Sequence, residues 1–208
     1  MQKIKLVKST DKILSTPTEI VTDISTQVIP YIATMRTIMR QNSGVAIAAN
    51  QVGLPYRFFL DRGEIYINPT IEVIDATEIQ GQEGCLSFPG GAWLCKRFTA
   101  IALTYETTKG KEKIITVRLP DIVKTRADQA TVSKLLSFQH EVDHLNGILL
   151  TNHGEKIKRT FGEPEEEPIS LVDARKLPVV SLAQLQRLMV RDKKLAAQAQ
   201  AAAADKDE

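Results

Sequence analysis

The sequence predicts an α+β fold, with mixed or antiparallel strands gathered around a central helix. Three observations carry that prediction. Apolar residues at helical spacing lie near the start, five β-rich stretches fill the middle, and helical spacing returns from Asp128 onward. Strands grouped together, flanked by helices instead of alternating with them, form the α+β pattern. The 208 residues, 43% hydrophobic and 25% charged, suffice for one domain with a buried core and a small appendage.

In chain order, the polar opening MQKIKLVKSTDKILSTPTEIV gives way to Val28, Ile32, Met35 and Met39. Their spacing of three and four is the buried stripe of a helix. Pro30 places the helix start there, because proline is tolerated in a first turn and not in an interior. Asn42, Ser43 and Gly44 end it. From Tyr56 to about Leu119, YRFFL, EIYINP, TIEVIDATEI, FTAIALTYET and KEKIITVRL are rich in β-branched and aromatic residues. Asp61–Gly63 and Lys109–Gly110 supply turns between them. Thr99, Ile101, Leu103 and Tyr105 alternate with Ala100, Ala102 and Thr104, the period of a strand. The stretch TVSKLLSFQHEVDHLNG is helical again, with Asp128 as N-cap and Asn146–Gly147 as stop signal. Beyond Phe161, GEPEEEP reads as an exposed acidic linker. From Ser181 to Ala204 a helix is expected, with Leu182, Leu185, Leu188 and Met189 on one face. Arg187, Arg191, Lys193 and Lys194 outnumber Asp192 there. The expected division is therefore residues 1–161 as the main domain and 162–208 as linker and helical tail.

Composition excludes several classes. Lys+Arg 27 against Asp+Glu 25 leaves +2, which makes no case for a nucleic-acid or membrane-surface partner. Aromatics are 5%, with Trp93 the single tryptophan, too few for a broad base-stacking surface. Two cysteines make no disulfide framework and suit a reducing compartment. No apolar run reaches the roughly 18 residues of a membrane span, and the charged N-terminus builds no secretory signal. A monomeric cytoplasmic protein is the expectation.

Chemistry concentrates at His140-Glu141-Val142-Asp143-His144. On a helix, positions four apart share a face, so both imidazoles reach one metal ion. Glu141 then sits where a carboxylate takes a proton from a metal-activated water. Leu135, Leu136 and Phe138 make this helix mostly buried, where bare histidines are costly. A catalytic site normally takes a third protein ligand. Candidates are Cys85, Cys95, His153 and a downstream glutamate, Glu163 or Glu165. The glutamates fall in a proline-broken linker, His153 in a turn-like NHG segment, and Cys85 in a glycine-containing turn, Glu83-Gly84-Cys85-Leu86-Ser87. A third segment, Gly44-Val45-Ala46-Ile47-Ala48-Ala49-Asn50-Gln51, has small residues that allow close backbone approach. Its Gln51 carries an amide donor and acceptor.

Together the three segments resemble the peptide deformylases. That family carries Gly-x-Gly-x-Ala-Ala-x-Gln, then Glu-Gly-Cys-Leu-Ser, then Gln-His-Glu-x-Asp-His. The second and third are intact as Glu83–Ser87 and Gln139–His144. The first matches at Gly44, Ala48, Ala49 and Gln51, with Ala46 in place of the second glycine. The resemblance covers roughly residues 1–160 and implies a peptide deformylase-like fold around a metal-binding HExxH helix. It implies Cys85, His140 and His144 as ligands of one Fe²⁺ per chain, with Zn²⁺, Ni²⁺ or Co²⁺ as substitutes. The implied reaction removes the formyl group from the N-terminal methionine of a nascent polypeptide and releases formate. Glu141 is then the proton carrier, and the Gln51 amide and Leu86 backbone N–H are the oxyanion donors. Gly44, Val45, Ala46, Gly84, Leu136 and Ser137 are the implied substrate contacts, and Arg97 with Asp143 an ion pair steadying the ligand helix. The tail helix is a candidate for docking on ribosomal RNA, as in some relatives. Two other readings compete: a zinc endopeptidase with the same HExxH chemistry, and a silent homologue that binds peptides or the ribosome without turnover.

Overall fold

A computed structural model describes residues 3–121 and 125–157. The first helix begins at Pro30 as expected, and a short helix not anticipated precedes it. α1 (Ile24–Gln27) is capped by Asp23, a short 3-10 turn Ile29–Tyr31 holds Pro30, and α2 (Ile32–Gln41) follows directly. Val28, Met35 and Met39 are buried as the stripe predicts, while Ile32 is half-buried. Asn42 ends α2 by donating its side-chain amide to the Ile38 carbonyl at 2.8 Å.

Six strands form one sheet: β1 (Ala46–Ala48), β2 (Phe58–Asp61), β3 (Glu64–Cys85), β4 (Phe88–Glu106) and β5 (Glu112–Arg118) in sequential order, with β6 (Glu155–Ile157) on β4. Every pairing of these strands is antiparallel, and among the described residues the parallel contact is an isolated bridge, Glu19 to Tyr56. Arg62 and Gly63, at φ 47° and 90°, make the two-residue turn between β2 and β3. Positive φ at both positions is the hairpin geometry that matches strand twist. EIYINP and TIEVIDATEI, read separately in the sequence, are one strand. Asn68 (φ 50°) and Pro69 sit in a register irregularity between Ile67 and Thr70, where a proline withdraws no ladder hydrogen bond. In β4, Ala100, Ile101, Ala102 and Leu103 are all buried, so the central strand is covered on both faces.

α3 (Arg126–Leu145) begins earlier than the sequence indicated. Thr125 is the N-cap. Its hydroxyl accepts from the Asp128 N–H at 3.1 Å, and the Asp128 carboxylate accepts from the Thr125 N–H at 2.8 Å. Asp128 is thus the third residue of a reciprocal capping box. Asn146 ends the helix, and Gly147 turns the chain at φ 73° where a Cβ would meet the Ser15 backbone at 2.8 Å. α4 (Leu150–His153) then leads into β6.

α3 packs against the sheet through an aromatic cluster. Phe138 meets Tyr66 at 4.9 Å and Phe59 at 5.9 Å, with Phe59 stacked on Tyr66 at 4.7 Å. Gln139 clips the helix to β4, accepting from the Phe98 N–H and donating to the Phe98 carbonyl. A second apolar cluster joins the α2 stripe to Ile47, Leu54, Phe58 and Leu60. Among the described residues no helix is long and apolar enough to cross a membrane. The acidic linker and the tail helix fall outside the described residues.

Candidate metal centre

Cys85 is the last residue of β3, and pairs with Phe88 around a two-residue turn, Leu86-Ser87. The sequence placed Cys85 within the turn; it sits on the strand end instead, where sheet pairing fixes it. His140 and His144 lie one turn apart on α3, their rings 4.8 Å apart. One ligand atom from each of Cys85, His140 and His144 falls within 4.8 Å of the other two, and all three residues are buried. His144 Nε2 lies 3.1 Å from Cys85 Sγ.

The other candidate third ligands are elsewhere. Cys95 is fully buried against Gly154, and burial pushes its thiol up to about 11. His153 is exposed, its Nε2 3.4 Å from Asp143 Oδ2 and apart from the cluster. Glu163 and Glu165 lie outside the described residues.

The expected Arg97–Asp143 pair is present, Nη1 to Oδ2 at 2.5 Å. Sequence reasoning missed its other half. Glu83 receives Nε and Nη2 of Arg97 at 2.6 and 2.9 Å, and His140 Nδ1 lies 2.8 Å from Glu83 Oε2. No sequence signal marked it, since the strand register is irregular between Glu83 and Cys85 and simple alternation does not relate the two side chains. Burial pushes the Glu83 carboxyl up, but Arg97 and His140 outweigh it and hold it at about 2. Arg97 is raised in turn: burial works against its charge, and Glu83 and Asp143 overcome it. His140 is held well above the ordinary imidazole value, since Cys85, Glu83 and Glu141 oppose the effect of burial. His144 goes the other way, lowered by burial with His140 and Arg97 adding to it.

Two buried polar atoms here lack a protein partner: Glu141 Oε2 and His144 Nδ1. Glu141 is 3% exposed, and burial, with Asp61 and Glu83 nearby, raises its carboxyl to about 8 against the pull of His140. Gln51 is pinned at both ends. Its Oε1 accepts from the Ala48 N–H at 2.9 Å, and its Nε2 donates to Ser87 Oγ at 3.1 Å, 3.5 Å from Cys85 Sγ.

These groups open on a cleft of about 500 Å³. Gly44, Val45, Ala46, Gly84, Leu136 and Ser137 all line it, with Gln51, Cys85, Leu86, His140 and Glu141. Phe88, Pro89, Gly90, Gly91 and Ser133 also line it and were not anticipated. Ser137 donates to buried Asp61 at 2.9 Å, and Asp61 pairs with Arg62 at 2.6 Å. The donor set fits a divalent transition metal. One soft sulfur and two imidazoles suit iron or zinc, whereas calcium and magnesium call for oxygen ligands. Three such donors converge, and neither cysteine is in a disulfide.

The family model described as polypeptide deformylase matches residues 3–160. A peptide deformylase of Thermoanaerobacter pseudethanolicus is 33% identical over 166 residues, covering 78% of this chain and 94% of that one. Peptide deformylase 1 of Bacillus anthracis is 30% identical over 173 residues, covering 80% and 100%. Among solved structures, the peptide deformylase of Thermotoga maritima superposes with a TM-score of 0.62 at 30% identity, covering 74% of this chain and 98% of that one. That of Synechococcus elongatus, in complex with actinonin, gives 0.61 at 27% identity, covering 73% and 79%.

Proposed function

This chain belongs to the polypeptide deformylase family, which it matches over residues 3–160, and from that premise we propose how its residues work. It is a metal-dependent hydrolase that removes the N-formyl group from the N-terminal methionine of nascent polypeptides and releases formate. The observation that carries the residue-level reading is the convergence of Cys85, His140 and His144, with Cys85, His140 and buried Glu141 lining one cleft.

In this reading the HExxH helix α3 is the centre of the fold. Cys85, His140 and His144 would hold one Fe²⁺ per chain, with Zn²⁺, Ni²⁺ or Co²⁺ as substitutes, and a bound cation would supply Lewis acidity that makes water nucleophilic near neutral pH. Glu141 takes the water's proton and returns it to the amine nitrogen as the formyl C–N bond breaks, leaving formate and a free N-terminus. A carboxylate buried beside the three donors is placed for both transfers. Gln51 Nε2 and the Leu86 backbone N–H donate to the developing oxyanion. Because Ala48 fixes the far end of the Gln51 amide, that donor is oriented before substrate arrives.

Gly44, Ala46 and Gly84 let the peptide backbone approach, and the Ala46 methyl narrows the cleft relative to glycine. Val45, Leu136 and Ser137 take the methionine side chain. Glu83, Arg97 and Asp143 steady α3 by the pairs described. We assign residues 1–161 to catalysis and 162–208 to ribosome docking, in a cytoplasmic monomer.

The test is formate release from a formyl-Met peptide by anaerobically purified protein of known metal content. Gln51→Ala should keep its metal and lose ~10²–10³ in kcat, the usual cost of one oxyanion donor. Unchanged turnover in that variant contradicts the role. Iron-loaded activity should decay in air and persist with nickel or cobalt, because the sulfur–iron pair is oxidisable.

A further inference from the structure

We propose that Asn50 is a positioning residue, registering the Gln51 turn against the end of the ligand helix so that the Gln51 amide stays aimed at the cleft. The inference rests on the role assigned to Gln51 above. Asn50 is fully buried, although nothing in the reaction described uses it. Its Nδ2 donates to the His144 carbonyl at 2.5 Å and reaches the Ile13 carbonyl at 3.5 Å. Its Oδ1 has no partner among the described residues. An unpaired buried acceptor costs stability, so packing alone favours an apolar residue at this position. What the amide contributes is the link itself.

Asn50 and Gln51 are neighbours in the 3-10 turn Ala49–Val52, where successive side chains leave the axis about 120° apart. One therefore reaches α3 while the other reaches Cys85 and Ser87. His140 has Glu83 to orient its ring, whereas His144 Nδ1 has no partner. The His144 backbone is held by hydrogen bonds from Gly147 N–H at 3.0 Å and from Asn50. Asn50 thus joins the turn that carries an oxyanion donor to the residue that carries a metal donor, across 94 positions of sequence.

A double-mutant cycle separates this from a stabilising role, with all kinetics taken well below the unfolding temperature. Asn50→Ala should lower kcat about tenfold with KM within about twofold, and should cost less than about twofold in a Gln51→Ala background. Equal losses in both backgrounds overturn the proposal, as does a loss confined to KM. If Asn50→Ala does not fold, Asn50→Ser, which keeps a shorter donor, runs the same cycle with a smaller expected drop. A readout without turnover comes from the Gln51 side-chain amide protons by NMR. They should be protected from exchange in the parent and lose that protection in the Asn50 variant; unchanged protection overturns the proposal even if the parent released no formate. A parent without deformylase activity contradicts the assigned reaction alone.

Discussion

At Glu83 one buried carboxylate balances an arginine fork and an imidazole. Its folded value of about 2 lies below the ordinary glutamate value of 4.5. A depressed carboxylate contributes stability that is complete above the unfolded value and disappears as pH falls through the folded one. Denaturant unfolding from pH 6 down to pH 2 should therefore show an acid limb between about 4.5 and 2. Glu83→Gln should flatten that limb; an identical limb in the variant contradicts the assignment. Of the three converging donors, His140 and His144 were legible from their spacing, while Cys85 stood out from the other candidate third ligands only through the family resemblance. Glu83 was not, because a glutamate next to a glycine-containing turn reads as surface until Arg97 and His140 are seen to close on it.

The long hairpin of β3 and β4 sets the cleft wall as well as holding Cys85. Gly81 on β3 faces Leu136 of α3, and a Cβ there would stand 2.6 Å from Leu136 Cδ2. Gly81→Ala must push Leu136 aside, and Leu136 lines the cleft. KM for a formyl-Met peptide should rise several-fold with kcat largely kept, whereas overpacking alone would give about 1–3 kcal/mol of lost stability and unchanged KM. At this scale the strand stretches and the second helix were readable from β-branched content and period. Two boundaries were not. Pro69 hid the continuity of β3, since a strand proline is tolerated only where the ladder is already broken. Thr125 was missed as the cap because the first turn of α3 is exposed and carries no apolar stripe.

At the scale of the whole chain, the described residues hold both apolar clusters and the three converging donors of the candidate site. Deleting residues 163–208 should leave formyl-peptide turnover within about twofold and abolish co-sedimentation with ribosomes, by removing the basic residues Arg187, Arg191, Lys193 and Lys194. Lost turnover with retained co-sedimentation would reverse the division. The α+β class was readable because strand-rich and helix-rich stretches are segregated in the chain, whereas the purely antiparallel pairing depends on hairpin turns whose geometry appears only in φ. The central claim is that one sulfur and two imidazole nitrogens hold a single divalent cation. X-ray absorption on anaerobically purified protein measures this directly. One metal per chain with one sulfur and two imidazoles in its shell, the sulfur lost in Cys85→Asp, is the result predicted. A metal shell without sulfur, or one that Cys85→Asp leaves unchanged, would contradict it.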